Sequence, residues 1–316
     1  MDSFSLIDFL NSLTSLVMMR FGAFRPRQHE IRALLALAEL LPANGGSILE
    51  QQISELNFWS RQCRNLMIWT WRIEGLKAVP LPDRLLFPLN DDETIHPLGA
   101  VTMRRRGANS GPSLRTEVYF VAGRIFELIF DKSPKAVFGT NKPEDADIEV
   151  VDATIVVDPT DPGAVSHELL DSPDQLTGWV RDWVEKWGAT RLRKPVNDAL
   201  RQRLISFYDV VLPQDYLELV SQLEGITIKT CSINGLSELD GFVTPSESYY
   251  ALAMADPTGL FALVRGAPPG IYYIDFEGNE PIPVGDSLVS AVEIFLEHGN
   301  TLWQDKPGLW TKPKRK

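Results

Sequence analysis

The sequence predicts an α+β protein of two domains, and three observations carry that prediction. Apolar residues recur at helical spacing through roughly the first 75 positions and again in the last third. In the middle, and again after Thr227, the apolar period falls to two, as in half-buried strands. A chain of 316 residues is also long enough for two cores. The predicted architecture is N-terminal helices with an antiparallel β-hairpin sheet, followed by a mixed sheet flanked by helices.

Leu6, Phe9, Leu10, Leu13, Leu16 and Val17 share one face of an expected first helix. A second spans 27–41, with Ile31, Leu34, Leu35 and Ala38 inward, and ends at Pro42 and Asn44-Gly45-Gly46. A third is expected from Ser47, with Glu50 in capping-box position, through Ile53, Leu56, Trp59, Cys63, Leu66, Met67 and Ile68 to Gly75. The aromatic residues Phe58-Trp59 and Trp69/Trp71 belong to it. Pro80, Pro82, Pro88 and Pro97 make the next stretch irregular.

Two strands, 116–121 and 124–130, flank Ala122-Gly123, which suits a two-residue hairpin turn. One or two more strands follow over 148–157. Asp171-Ser172-Pro173 starts a helix that runs to Trp187 and stops at Gly188. Thr190 to Pro195 reads as a linker. The domains are therefore 1–190, 191–304 and a basic tail, 305–316.

After the linker come a helix over 196–208, then Leu212-Pro213-Gln214-Asp215-Tyr216 opening a second helix that ends at Gly225. Strands are expected at 227–232, 249–255, 260–264, 271–275 and 281–284, with turns at Gly266–Gly270 and Glu277-Gly278-Asn279. The last helix is capped by Asp286 or Ser287, with Leu288, Val292, Phe295 and Leu296 buried.

The motifs in this last third are Leu-Pro-x-Asp-Tyr at 212–216, Gly225, Gly235-Leu236-Ser237-Glu238, the strand Tyr272-Tyr273-Ile274-Asp275 and the closing helix from Asp286. In that order they resemble the SUKH superfamily, the fold of the fungal Smi/Knr-type cell-wall regulators and of many bacterial toxin-immunity proteins. Two features depart from the pattern: small polar residues after the second helix are reduced to Glu224-Gly225, and Arg265-Gly266-Ala267-Pro268-Pro269 replaces an acidic turn. The resemblance implies a domain that binds proteins and catalyses nothing, with surface and cleft residues meeting the partner. It leaves the first 190 residues unexplained.

Charge narrows the partner. The chain carries a net charge of -11, which disfavours nucleic acid and anionic lipid. Residues 196–304 hold 4 Lys+Arg against 15 Asp+Glu, whereas the tail from Asp305 is basic. Asp275, Glu277 and Glu280 crowd one strand end and turn, and they are the candidate partner-binding residues, suited to a basic protein surface. Solubility is the plainer reading of the same charge.

Two cysteines, Cys63 and Cys231, form no disulfide or metal spacing and fit a reducing cytoplasm. Asp2 and Asp8 do not suit a signal peptide, and no apolar run reaches membrane-spanning length. His167-Glu168 matches the first half of a zinc-protease helix, but Asp171 stands where the second histidine is needed. No cofactor is expected.

Trp179, Trp183 and Trp187 lie four apart on one helix face, as a partner ridge or, more plainly, as a stripe packed on the hairpin or N-terminal helices. Arg104-Arg105-Arg106 could meet phosphate or RNA, pair with the acidic C-terminal domain, or simply solvate an edge strand. The resulting expectation is a non-catalytic protein-binding module. An enzyme with its site in the N-terminal domain or at the domain interface, built on His96, His167 and nearby carboxylates, is the alternative. A nucleic-acid-associated scaffold is the third.

Overall fold

The structure is a computed structural model. It describes residues 25–63, 66–74, 77–89, 94–108, 110–165, 168–239, 241–243, 248–255, 259–275 and 281–298. The expected first helix and the basic tail lie outside these residues. The chain divides into two compact units, 1–162 and 163–316. Among the described residues the fold is α+β, with seven α-helices and two antiparallel sheets.

The first unit begins with α1 (Gln28–Ala38) and α2 (Ala43–Glu55). Seven strands follow: β1 (Phe58–Gln62), β2 (Met67–Glu74), β3 (Lys77–Val79), β4 (His96–Arg105), β5 (Ser113–Val121), β6 (Arg124–Phe130) and β7 (Ile148–Ile155). A short α3 (Pro134–Phe138) precedes β7. The strand order is β1-β2-β6-β5-β4-β7, with β3 also paired to β2.

The expected hairpin is present: Ala122 and Gly123 both take positive φ, 48° and 70°, as a type I′ turn requires. Gln52, fully buried on α2, clamps that turn. Its Nε2 donates to Leu85 O at 2.6 Å and Gly123 O at 2.9 Å, and its Oε1 accepts Ile125 N–H at 2.8 Å. On α1, buried Glu30 accepts the Arg27 backbone N–H at 2.6 Å and takes two bonds from Arg61, at 3.0 and 2.6 Å.

Two expectations are corrected here. The segment 47–75 is not one helix. Its helix starts four residues earlier, at Ala43 behind Pro42, and ends at Glu55. The aromatic residues beyond it lie on strands, where Phe58 pairs with Trp71 and Ser60 with Trp69. Trp59, Ile68 and Thr70 face the core, and Trp69 and Trp71 alternate outward. The stretch behind Pro97 is not irregular either, since it forms β4, paired on both sides by β5 and β7. Arg104 and Arg105 therefore sit on an interior strand rather than an edge.

The second unit contains α4 (Gly178–Trp187), α5 (Asp198–Phe207), α6 (Gln214–Val220) and α7 (Leu288–His298). Its strands are β8 (Ile226–Ile228), β9 (Cys231–Ile233), β10 (Gly241–Val243), β11 (Ser248–Ala255), β12 (Gly259–Val264), β13 (Ile271–Asp275) and β14 (Ile282–Gly285). They run β14-β13-β12-β11-β9-β8, with β10 on β11. Every described pairing is antiparallel, so the expected mixed character is corrected.

The expected single strand over 227–232 is a tight hairpin, turning at Lys229 with φ 51°. The helix expected from Asp171 is a 3-10 turn at Pro173–Gln175, capped by Ser172, and α4 then starts afresh at Gly178. The two compact units divide at 162/163. The supposed linker is built into the second unit, where Thr190 bridges to Thr227 and Leu169 to Arg193.

Candidate docking surface

The motif residues of the second unit converge on buried polar bonds. Asp215, in the first turn of α6, reaches across the chain to the start of α7. Its Oδ2 accepts Val289 N–H at 2.8 Å and the Ser287 hydroxyl at 2.9 Å. Ser287 Oγ in turn accepts Ser290 N–H at 3.1 Å, so Ser287 is the cap and Asp215 supports it. Next to Asp215, the Tyr216 hydroxyl donates to Asn234 O at 2.9 Å. Tyr208 donates to Leu236 O at 2.6 Å.

Glu224 completes the clasp on the segment 234–238. Its Oε1 accepts Ser237 N–H at 2.6 Å. Gly235 lies directly against it: a Cβ there would stand 2.5 Å from the Glu224 carboxyl carbon. The Arg193 guanidinium forks onto the Glu238 carboxylate and fills the space beside Gly225, whose φ is 99°. Burial pushes the Glu224 carboxyl up to about 7, against the opposing pull of its bonds from Ser237. The Tyr216 hydroxyl is likewise raised, by burial and by the nearby Glu224 charge. This network holds the fold together, and its polar atoms point inward.

Asp275 ends β13, half-buried, opposite Gly259. Glu277 and Glu280 lie outside the described residues. At the far end of the β12–β13 hairpin, about five residues or roughly 16 Å away, lies a different feature. It is a cleft of about 180 Å³ beside Val211, Leu263, Ala267, Pro268 and Pro269. Val211 is 69% exposed there.

Within the second unit, the tryptophan stripe of α4 packs against α6 and α7. Trp183 is buried. Trp179 Nε1 donates to Glu218 on α6 at 2.6 Å, and Trp187 Nε1 to Glu293 on α7 at 3.3 Å. Lys186 and Lys229 each stand 4.8 Å from the Trp187 ring centroid.

In the first unit, Arg104 forks onto Glu149 at 3.0 and 2.8 Å, and Arg106 donates to Ile148 O. His29 is buried 5.6 Å from the Phe130 ring, and burial lowers its pKa to about 3. His96 is buried against Phe120. His167 lies outside the described residues. Cys231 is buried and its thiol is pushed up to about 12. Among the described residues, no three His, Cys, Asp or Glu side chains are placed to hold a metal. No described helix is long and apolar enough to cross a membrane.

No family model, curated protein or solved structure matches the chain. Sequence reasoning missed the Asp215–Val289 and Glu224–Ser237 contacts. The only signal for them was the motif spacing itself.

Proposed function

We propose that this protein is a non-catalytic, SUKH-like docking protein of the cytoplasm. It acts as an immunity or regulatory factor by binding a basic protein partner. One observation supports this most strongly. Asp215, Tyr216, Gly235 and Ser237, which carry the resemblance, and Glu224, which departs from it, are all engaged in internal packing and bonding. Residues committed in that way stabilise a scaffold, and a scaffold offers its exposed surface for recognition. The surplus of carboxylates over 196–304 gives that surface its preference, with Asp275, Glu277 and Glu280 as the contact residues.

The test is affinity purification of the full chain from its native cells, as wild type and with Asp275→Lys, Glu277→Lys and Glu280→Lys combined. The expected result is a cationic protein held by the wild type and lost from the triple variant. Retention of the same protein by both chains sinks the assignment of the site. A partner gene adjacent to this one and encoding a toxin would identify the immunity role.

A further inference from the structure

We propose that residues 4–20 dock as a helix across the outer face of the first unit's sheet, with Arg20 set against Glu127 and Glu117. Strand register defines that face. Ala100 stands opposite Glu117, Glu117 opposite Ile129, and Ile129 opposite Met67. Tyr119 stands opposite Glu127. Partners across a ladder, and residues two apart along a strand, share a face. All six are between 0 and 6% exposed.

The described helices of the first unit lie on the other face. Gly99, next to Ala100, points that way, and a Cβ there would stand 3.1 Å from Leu37 Cδ2 on α1. On that same side α2 packs on α1, and the Phe138 ring of α3 lies 6.4 Å from the His29 ring of α1. A sheet with side chains buried on both faces needs a layer over each.

Three observations select 4–20 as the second layer. The first is the tether. Arg61 on β1 donates to Arg25 O at 2.8 Å, so the chain before Arg25 starts beside an end strand of the sheet. The second is length. A helix over 4–20 runs about 25 Å, and the strands from β1 to β7 span about 24 Å. The third is pattern. The stripe of Leu6, Phe9, Leu10, Leu13, Leu16 and Val17 is continued by Arg20, three residues after Val17 and the one Lys or Arg in 1–24.

Charge completes the match. Glu117 accepts bonds from Arg115 Nε and the Tyr119 hydroxyl, each at 3.2 Å, and Glu127 accepts the Trp69 indole N–H at 2.7 Å. Carboxylates buried this deeply are stabilised by cations at the same face. A helix entered from the β1 end brings Arg20 over β2 and β6, where Trp69 and Glu127 pair.

The test places the photoreactive residue p-benzoylphenylalanine at Phe9 of the full chain and maps its cross-links by mass spectrometry. Cross-links are expected on outer-face residues of β4, β5 and β6, within one chain and at a yield independent of protein concentration. Hydroxyl-radical labelling reads the charge pairing. Labelling of Met67 and Tyr119 should rise about tenfold in Arg20→Glu and stay near wild type in Arg20→Lys, with inner-face Met103 protected in both. The proposal fails if the cross-links join two chains, land on α1, α2 or the second unit, or are absent. It also fails if Arg20→Glu leaves labelling unchanged or raises it equally at Met103.

Discussion

Asp215 and Val289 are 74 residues apart, yet the carboxylate of one accepts the backbone N–H of the other at 2.8 Å. The bond ties the opening turn of α6 to the opening turn of α7. Asp215→Ala removes this acceptor and the support of Ser287. Urea unfolding should show a loss of about 1–2 kcal/mol. Ser287→Ala should cost less, since Asp215 still serves Val289.

Gly235 is expected to tolerate no side chain. Its backbone is unstrained at φ -72°, so the cost of alanine is purely steric. The methyl group would push the Glu224 carboxyl off Ser237 N–H inside a closed core. Gly235→Ala should destabilise the protein by about 1–3 kcal/mol, read from the denaturation midpoint.

Two buried groups, Glu224 and His29, should make stability depend on pH in opposite senses. Glu224 has a folded pKa of about 7, above the ordinary carboxylate value, so its ionisation favours unfolding. Its contribution is present at low pH and is lost as pH rises towards and through 7. Glu224→Gln should flatten that part of the profile. His29 has a folded pKa of about 3, below the ordinary imidazole value of 6.5. Its contribution is present at neutral pH and is lost as pH falls from about 6.5 towards 3. Native-state hydrogen exchange across pH, followed separately in 25–162 and 163–298, checks both signs.

Trp183 and Trp179 should behave differently despite sharing a helix face. Trp183 is 5% exposed, and its Nε1 has no hydrogen-bond partner among the described residues. Trp183→Ala should cost about 3–5 kcal/mol, whereas Trp183→Phe keeps most of the packing and should cost less than about 1.5. Trp179→Phe loses only the exposed bond to Glu218, and thermal melting should barely move.

Local chemistry made much of the fold legible in the sequence. The Ala122-Gly123 turn, the Ser287 cap, the Pro213 entry to α6 and the Gly188 stop of α4 each have a local signal, although Gln52 and Asp215 reinforce the first two from afar. The segment 47–75 was misread because Leu56, Trp59 and Cys63 happen to fit a helical period. Tertiary pairing decides otherwise, since Trp69 and Trp71 take their places opposite β1. β4 was hidden by Pro97, which is accommodated at the strand's start beside a bulge. The clasp around Glu224 needed contacts 13 and more residues apart, which no single-sequence pattern supplies.

The central claim is that an acidic face of the second unit captures a basic protein. It is tested most directly by the Kd of the purified complex across ionic strength, for the wild type and for the chain reversed at Asp275, Glu277 and Glu280. The account predicts affinity that weakens steadily with salt in the wild type, and a complex that is weak and nearly salt-independent in the reversed chain. Equal affinity and equal salt response in the two chains would contradict it.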